Sequence, residues 1–346
     1  MVKPSIKAVM NNNYKQIVKV AHSNIAFVKY WGKRGRQYPL NPSVSMLIDQ
    51  CQTKTQCSYQ ISDQLQVESF QFEGKEQFDF GKRIEQYLES ISEVYPLAKR
   101  LRLRFESENN FPHSAGIASS ASGFAAIANI LAEIEWLENN VRLSREQIST
   151  LARLGSGSAC RSISKAPFNL WGKTKFDLGT DDYSLDLDEK KYSFSEKLAD
   201  TILVVNQSQK DVSSSFGHSL MNTHFYRESR IEQAHENTRC LLNAIEADNF
   251  TDFGEIIENE ALSLHAMMMT SMPSYTLLHA NTLRVIEKLK DSREKGEIMA
   301  YFTLDAGPNI HLIYPESQKD QVKSFVSEFC LDLCEKIIWA PHFGES

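Results

Sequence analysis

Cysteine is scarce: the 346 residues contain six, at positions 51, 57, 160, 240, 330 and 334, with no CxxC pair among them. So few thiols cannot staple a chain this long, which excludes a disulfide framework and a zinc ribbon and leads us to expect a reduced, cytoplasmic setting. Basic charge is not in excess either. Lys plus Arg number 38 against 44 Asp plus Glu, a net charge of -6. No global field exists to hold nucleic acid or an acidic membrane, and any anionic ligand must be met by local cations. Long apolar runs are missing: Phe124–Leu131 is the longest, far below the roughly 20 residues of a bilayer span. The opening MVKPSIKAVMNNNYKQ lacks the apolar core of an export signal. No GxxxxGK[ST] occurs, so the usual P-loop is excluded. At 42% hydrophobic and 24% charged residues, the composition is that of a globular protein with one large or two medium cores.

The periodicities predict mixed strands and helices. After a pattern-free tail at 1–15, strand-like text covers IVKVAH and NIAFVKY, then 44–48, 55–61, 65–72 and the alternating RLRLRFE at 100–106, with a helical pattern at 81–97 between them. Phe124, Ile127, Leu131 and Ile134 recur at three- and four-residue spacing, predicting a long core helix, and Ser144-Arg-Glu-Gln147 reads as a capping box. A polar stretch at 172–196 separates this part from a strand at 202–205, helices at 230–247, 253–269 and 276–290, and strands at 298–304 and 310–314. A helix at 317–329 and a strand at 337–340 end the pattern. Without regular βαβ alternation, this order predicts an α+β fold of antiparallel-looking sheets in two intimately packed halves, 16–190 and 191–346.

Four segments carry chemistry-bearing residues. Pro112-His-Ser-Ala-Gly-Ile-Ala-Ser-Ser-Ala-Ser-Gly123 is a glycine and hydroxyl-rich loop entering a helix, an arrangement that gathers backbone N–H groups and the positive helix end where a phosphate is stabilised. The same small residues would also suit a closely packed helix start. Gly155-Ser-Gly-Ser-Ala-Cys-Arg-Ser162 repeats the device with Arg161 as a fork donor, though it fails GxGxxG at Cys160 and taken alone also fits a flexible turn. In Asn24–Arg36, Lys29, Lys33, Arg34 and Arg36 crowd a strand and its exit, suited to a small polyanion, although a solvated basic turn would look similar. Asp305-Ala-Gly-Pro-Asn309 places a carboxylate at the end of an apolar strand, fit for proton handling or for simply starting a turn. Cys160 has no partner base and reads as packing.

Taken in order, NIAFVKYWGKR, NNFPHSAGIASSASG, GSGSACRS, KDVSS, the Glu260–Met267 stretch with His265, and TLDAGPN resemble the diphosphomevalonate decarboxylases, a branch of the GHMP kinase superfamily. The resemblance covers residues 16 to 340; KYWGK and GSGSACRS belong to the decarboxylase branch, while the serine loop is shared with other GHMP kinases. It implies ATP-dependent phosphorylation of the tertiary 3-hydroxyl of 5-diphosphomevalonate, then loss of phosphate and CO2 to give isopentenyl diphosphate, in a cytoplasmic homodimer without nucleic-acid or membrane partners. A deep cleft between the two halves is implied as well.

By motif match, Asp305 orients or deprotonates the hydroxyl, Lys29 stands near it, and Arg161, braced by Asn24, holds the substrate carboxylate. Tyr30, Lys33, Ser156 and Ser158 fall around the substrate diphosphate and carboxylate, with Arg83 a more diffuse match. Gly116, Ser119 and Ser120 match the ATP phosphate loop, Ser214 a serine near the γ-phosphate, and Ser107 and Asn110 the nucleotide side. Magnesium is expected on ATP phosphate oxygens, with no dedicated protein cage. The sequence departs from the family pattern at Ile163–Phe168, Pro42, His113, Ser215 and His218. Those departures leave the phosphoryl-transfer set intact and bear on the preference for diphosphate over monophosphate. A 5-phosphomevalonate enzyme, or a mevalonate-type kinase without decarboxylation, is the second alternative, the kinase version disfavoured by the Asp305 and Lys29 pair, and a non-catalytic nucleotide-binding paralogue is the third.

Overall fold

The computed structural model describes residues 14–112, 117–187, 194, 198–207 and 212–340. Its strands are β1 (Lys15–Ala26), β2 (Lys33–Arg34), β3 (Tyr38–Pro39), β4 (Ser43–Ile61), β5 (Gln66–Phe72), β6 (Lys75–Glu76), β7 (Leu101–Asn109), β8 (Phe168–Trp171), β9 (Leu185–Asp186), β10 (Leu198–Val204), β11 (Tyr301–Thr303), β12 (Ile310–Pro315) and β13 (Lys336–Ile338). The helices are α1 (Phe78–Ser90), α2 (Ser119–Asn139), α3 (Arg145–Gly155), α4 (Ser214–Leu220), α5 (Arg227–Glu246), α6 (Phe250–Met269), α7 (Ala280–Glu294) and α8 (Lys319–Phe329). Two compact units emerge among the described residues: 14–19 with Thr55–Glu108, and Val20–Lys54 with those from Asn109 onward. Because β1 and β4 run from one unit into the other, compactness does not mark the boundary expected near residue 190.

In the first unit β5 lies between β6 and β7, and the outer part of β4 follows β7. The β5–β7 pairing is parallel, with Phe70 opposite Phe105, where the sequence predicted antiparallel strands. A parallel pair needs a crossover, and α1 supplies it. Ile84, Tyr87 and Leu88 of α1 are buried at helical spacing. That helix stops short of the expected residue 97, because Pro96 opens a separate tight turn over Pro96–Arg100.

The 19-residue β4 joins two runs that the sequence separated at polar DQCQTK. Cys51, Thr53 and Thr55 take the buried alternate positions there, so the period of two continues on small side chains that an apolar pattern search passes over.

The second unit pairs β4 with β8 and β8 with β9, Val44 lying opposite Leu170. Its other sheet runs β11-β12-β10-β13 and is antiparallel throughout, with Thr303 opposite His311. Phe27, Phe168, Phe253, Ile202 and Ile313 share one core cluster, and Leu203, Phe302, Leu312 and Val326 a neighbouring one. The predicted capping box is present at the start of α3, with Ser144 and Gln147 bonding reciprocally. Among the described residues no helix is long and apolar enough to cross a membrane.

Candidate active site

The turn after β11 presents Asp305, and the exit of β1 presents Lys29. Lys29 is 1% exposed; its Nζ donates to Asp305 Oδ1 at 3.0 Å and to the Ala26 carbonyl at 2.5 Å. Asp305 keeps 23% of its side-chain exposure, which leaves carboxylate surface for a ligand. Its backbone oxygen accepts from Gly307 N–H at 2.7 Å and lies 3.1 Å from His265 Nε2 on α6. Burial pushes the Lys29 ammonium down from its ordinary range, opposed by the Asp305 charge. Burial also pushes the Asp305 carboxyl up, but Lys29 and Arg161 outweigh it and hold the acid below the usual carboxylate range. At neutral pH the acid is therefore ionised beside a cation.

A second, fully enclosed pair fixes the Lys29 backbone. Glu260 on α6 is 0% and Arg230 on α5 is 2% exposed, and they meet as a fork, Nη1–Oε1 at 3.1 Å and Nη2–Oε2 at 2.5 Å. Glu260 also accepts from Lys29 N–H at 2.8 Å and Asn237 at 2.6 Å, while Arg230 reaches the Lys29 carbonyl at 3.3 Å and Asn41 the same oxygen at 2.9 Å. The sequence reading gave Arg230 and Asn41 no role; the available signal was charge on the packed faces of two helices. Removing one partner of a buried pair costs about 3–5 kcal/mol. Glu260→Gln is accordingly expected to lower unfolding stability by that order in urea titration and to slow turnover by loosening Lys29; an unchanged midpoint would remove the pair from this role.

Arg161 lies in the tight turn Gly157–Ile163 that follows α3 and is 3% exposed. Its Nη1 donates to Ser43 Oγ at 2.7 Å, and Ser43 in turn donates to the Val28 carbonyl at 2.7 Å. The Nε has no hydrogen-bond partner, and no carboxylate lies within ion-pair distance among the described residues. Burial pushes its proton affinity down, yet a guanidinium stays charged. Ser43 takes the bracing place expected for Asn24, because the Asn24 amide instead donates to Ser162 Oγ at 2.7 Å and the Ser158 carbonyl at 3.4 Å. A buried guanidinium whose counter-charge, Asp305, lies beyond ion-pair distance and whose Nε is unpartnered can receive an anionic group.

Tyr30 leans on Trp171 with ring centroids 4.7 Å apart. Its hydroxyl would lie 2.8 Å from any β-carbon at Gly157, so this approach requires glycine there. Ser156 and Ser158 are half-buried on the same turn, and Lys33 reaches Gln37 at 3.0 Å. The expected basic cluster is divided: Lys29 is buried on Asp305, and Arg34 pairs with Asp181 at 2.5 Å.

Ser119 and Ser120 open the 21-residue α2, where Ala118 adopts φ +47° and, among the described residues, no side-chain cap bond forms at the N-cap. Uncapped N–H groups and the helix dipole favour an anion at this end, and Ser120 Oγ stands 3.4 Å from Ser156 Oγ. Gly116 and His113 lie outside the described residues. Asn110 spends its side chain on Gln52 N–H at 2.8 Å and the Gln50 carbonyl at 3.1 Å, which ties its loop to β4. Ser214 is the first residue of α4, whose cap is Ser213.

Arg83 and Ser107 belong to the first unit. There Arg83 lies over the Phe80 ring and Ser107 meets Thr55 at 2.9 Å. Among the described residues no group of three or more His, Cys, Asp or Glu could hold a metal. Magnesium carried mainly by phosphate oxygens needs no such group. Cys160 is buried with its thiol pushed up to about 12 by burial, as expected for a packing residue.

The family model described as the diphosphomevalonate decarboxylase-like N-terminal domain matches residues 21–185, and that of the mevalonate 5-diphosphate decarboxylase C-terminal domain matches 201–338. The chain belongs to the diphosphomevalonate decarboxylase family. Diphosphomevalonate decarboxylase mvd1 of Aspergillus fumigatus is 32% identical over 321 residues, covering 86% of this chain and 76% of that protein. The crystal structure of mevalonate diphosphate decarboxylase from Staphylococcus aureus is similar at a TM-score of 0.82 and 31% identity, covering 94% of this chain and 95% of that one. A second solved relative, MDDEF in complex with MVAPP, AMPPCP and magnesium, gives 0.81 and 29%, covering 94% and 97%. The α+β fold is thus that of the GHMP kinases. After the Ile163–Phe168 segment, β8 pairs antiparallel with β4, Phe168 lying opposite Met46.

Proposed function

We propose that this chain converts 5-diphosphomevalonate to isopentenyl diphosphate, with ATP consumed to ADP and phosphate and CO2 released. The observation that carries the reading is an ionised Asp305 paired to a buried Lys29, with Arg161 buried close by and no carboxylate at ion-pair distance. ATP with magnesium supplies the phosphoryl group that turns a tertiary hydroxide, a poor leaving group, into phosphate. Asp305 accepts the hydrogen bond of the 3-hydroxyl and orients its oxygen, and Lys29 offsets the charge that develops there. Arg161, held by Ser43, fixes the substrate carboxylate until the departing phosphate leaves a cationic carbon that the carboxylate electrons quench as CO2. Ser119, Ser120 and Ser214 would hold the ATP phosphates, and Tyr30, Lys33, Ser156 and Ser158 the anionic substrate.

The same proposal divides the chain into a half at 16–190 with the phosphate loop and a half at 191–346 with Asp305. It also places the protein in the cytoplasm as a homodimer, a state that light scattering would report. The functional test compares mevalonate, 5-phosphomevalonate and 5-diphosphomevalonate as substrates in the presence of ATP and magnesium. ADP release is expected with the diphosphate alone. ADP from the monophosphate instead would reassign the substrate, and none from any of the three would end the enzymatic reading.

A further inference from the structure

Helix α4 meets the loop that leaves β1 through two consecutive residues. At Gly217 a β-carbon would fall 2.7 Å from the Trp31 ring and 2.5 Å from the Tyr275 hydroxyl, so this turn sits directly on the loop. Next to it, the His218 imidazole packs against both Tyr30 and Trp31, with ring centroids 4.4 Å and 4.6 Å away. Its Nδ1 lies 2.9 Å from Gly32 N. A peptide N–H can only donate, so Nδ1 is the acceptor and the proton of the neutral ring sits on Nε2.

Burial, helped by the charges of Lys33 and Arg161, pushes the His218 pKa down to about 3. The ring is therefore neutral at any working pH, and its tautomer is set by Gly32. His218 is 9% exposed, and among the described residues Nε2 has no hydrogen-bond partner. An N–H that reaches the surface of an otherwise buried ring, oriented by the bond at the opposite edge, with Tyr30 against its face and Lys33 and Arg161 as its charged neighbours, is placed to meet a ligand.

We infer that His218 is a substrate-specificity residue whose Nε2–H donates to the terminal diphosphate of the substrate while its Nδ1 holds the Tyr30–Lys33 loop in place. This rests on the functional reading above. A neutral donor beside Lys33 adds direction without adding charge, which suits an extended diphosphate already met by cations.

Two substitutions separate the ring's edges. His218→Asn keeps an acceptor near the position of Nδ1 and ends before Nε2, whereas His218→Gln carries an amide N–H towards the position of Nε2 and gives up the bond to Gly32. Steady-state kinetics of each variant gives kcat and separate Michaelis constants for the diphosphate substrate and for ATP. Thermal melting gives the midpoint, and calorimetry follows the binding of inorganic pyrophosphate.

The asparagine variant is expected to raise the Michaelis constant for the diphosphate substrate about tenfold and to weaken pyrophosphate similarly, leaving kcat and the constant for ATP within about twofold. The glutamine variant should retain most of the substrate affinity while melting earlier. An asparagine variant with unchanged substrate and pyrophosphate affinities would overturn the inference, as would equal losses in both variants that track the melting temperature. Absence of turnover by the wild-type protein would defeat the functional reading instead, and the pyrophosphate measurement would still decide the role of His218.

Discussion

Asp305→Asn is expected to lower kcat by about a thousandfold, within the range of 10²–10⁴ for loss of a positioned acid or base, with ATP and substrate affinities changed only a few-fold. The carboxamide is nearly isosteric, so what disappears is the negative charge that accepts the hydroxyl proton and balances Lys29. Lys29 is 1% exposed with Asp305 as its ionic partner. Its ammonium, already pushed down by burial, would lose the interaction that opposes that shift. The alkaline limb of the residual activity should therefore move to lower pH, because a cation deprived of its anion releases its proton more readily. Single-turnover kinetics with calorimetric binding separates the effects. Near-normal kcat would remove Asp305 from the mechanism, whereas loss of binding with kcat preserved would recast it as a substrate ligand.

The second large effect is expected at Arg161. Truncating one side of a buried charge-assisted contact typically costs about 2–5 kcal/mol, so Arg161→Ala should lower kcat/KM for the diphosphate substrate by roughly a hundredfold. The loss should appear in both KM and kcat, since the carboxylate is held in the ground state and must be aligned as CO2 departs. ATP affinity should change little, because Arg161 braces on Ser43 at 2.7 Å and not on the α2 start. A variant that loses ATP binding and keeps substrate affinity would contradict the assignment. Arg161→Lys tests fork geometry as well as charge: an ammonium cannot reproduce the planar two-toothed contact and should recover only part of the activity.

Legibility in the sequence followed how locally each feature is encoded. The long core helix after Ala118, the capping box at Ser144 and the strand before Asp305 are written in periodicity and short-range spacing; the first two occur, and the strand, expected over 298–304, is confined to Tyr301–Thr303. The parallel β5–β7 pairing was not readable, since strand direction depends on the crossover path rather than on alternation. Similarly, β4 looked broken because Cys51 and Thr53 occupy buried positions that hydrophobic patterning reserves for larger groups.

At the site, Lys29, Arg161 and Asp305 were visible through motif order, but their supports were not. Ser43 reaches Arg161 across 118 residues, and Glu260 reaches the Lys29 backbone across 231. No local pattern encodes contacts that only the assembled second unit brings together. His218 was visible only as a departure from the family pattern, and its meaning depends on Gly32, 186 residues away.

The most direct test of the central claim is the ratio of CO2 to ADP formed from 5-diphosphomevalonate with ATP and magnesium. The arrangement of Asp305, Lys29 and Arg161 predicts one CO2 for each ADP throughout the reaction; ADP accumulating without CO2 would contradict it and leave a kinase in its place.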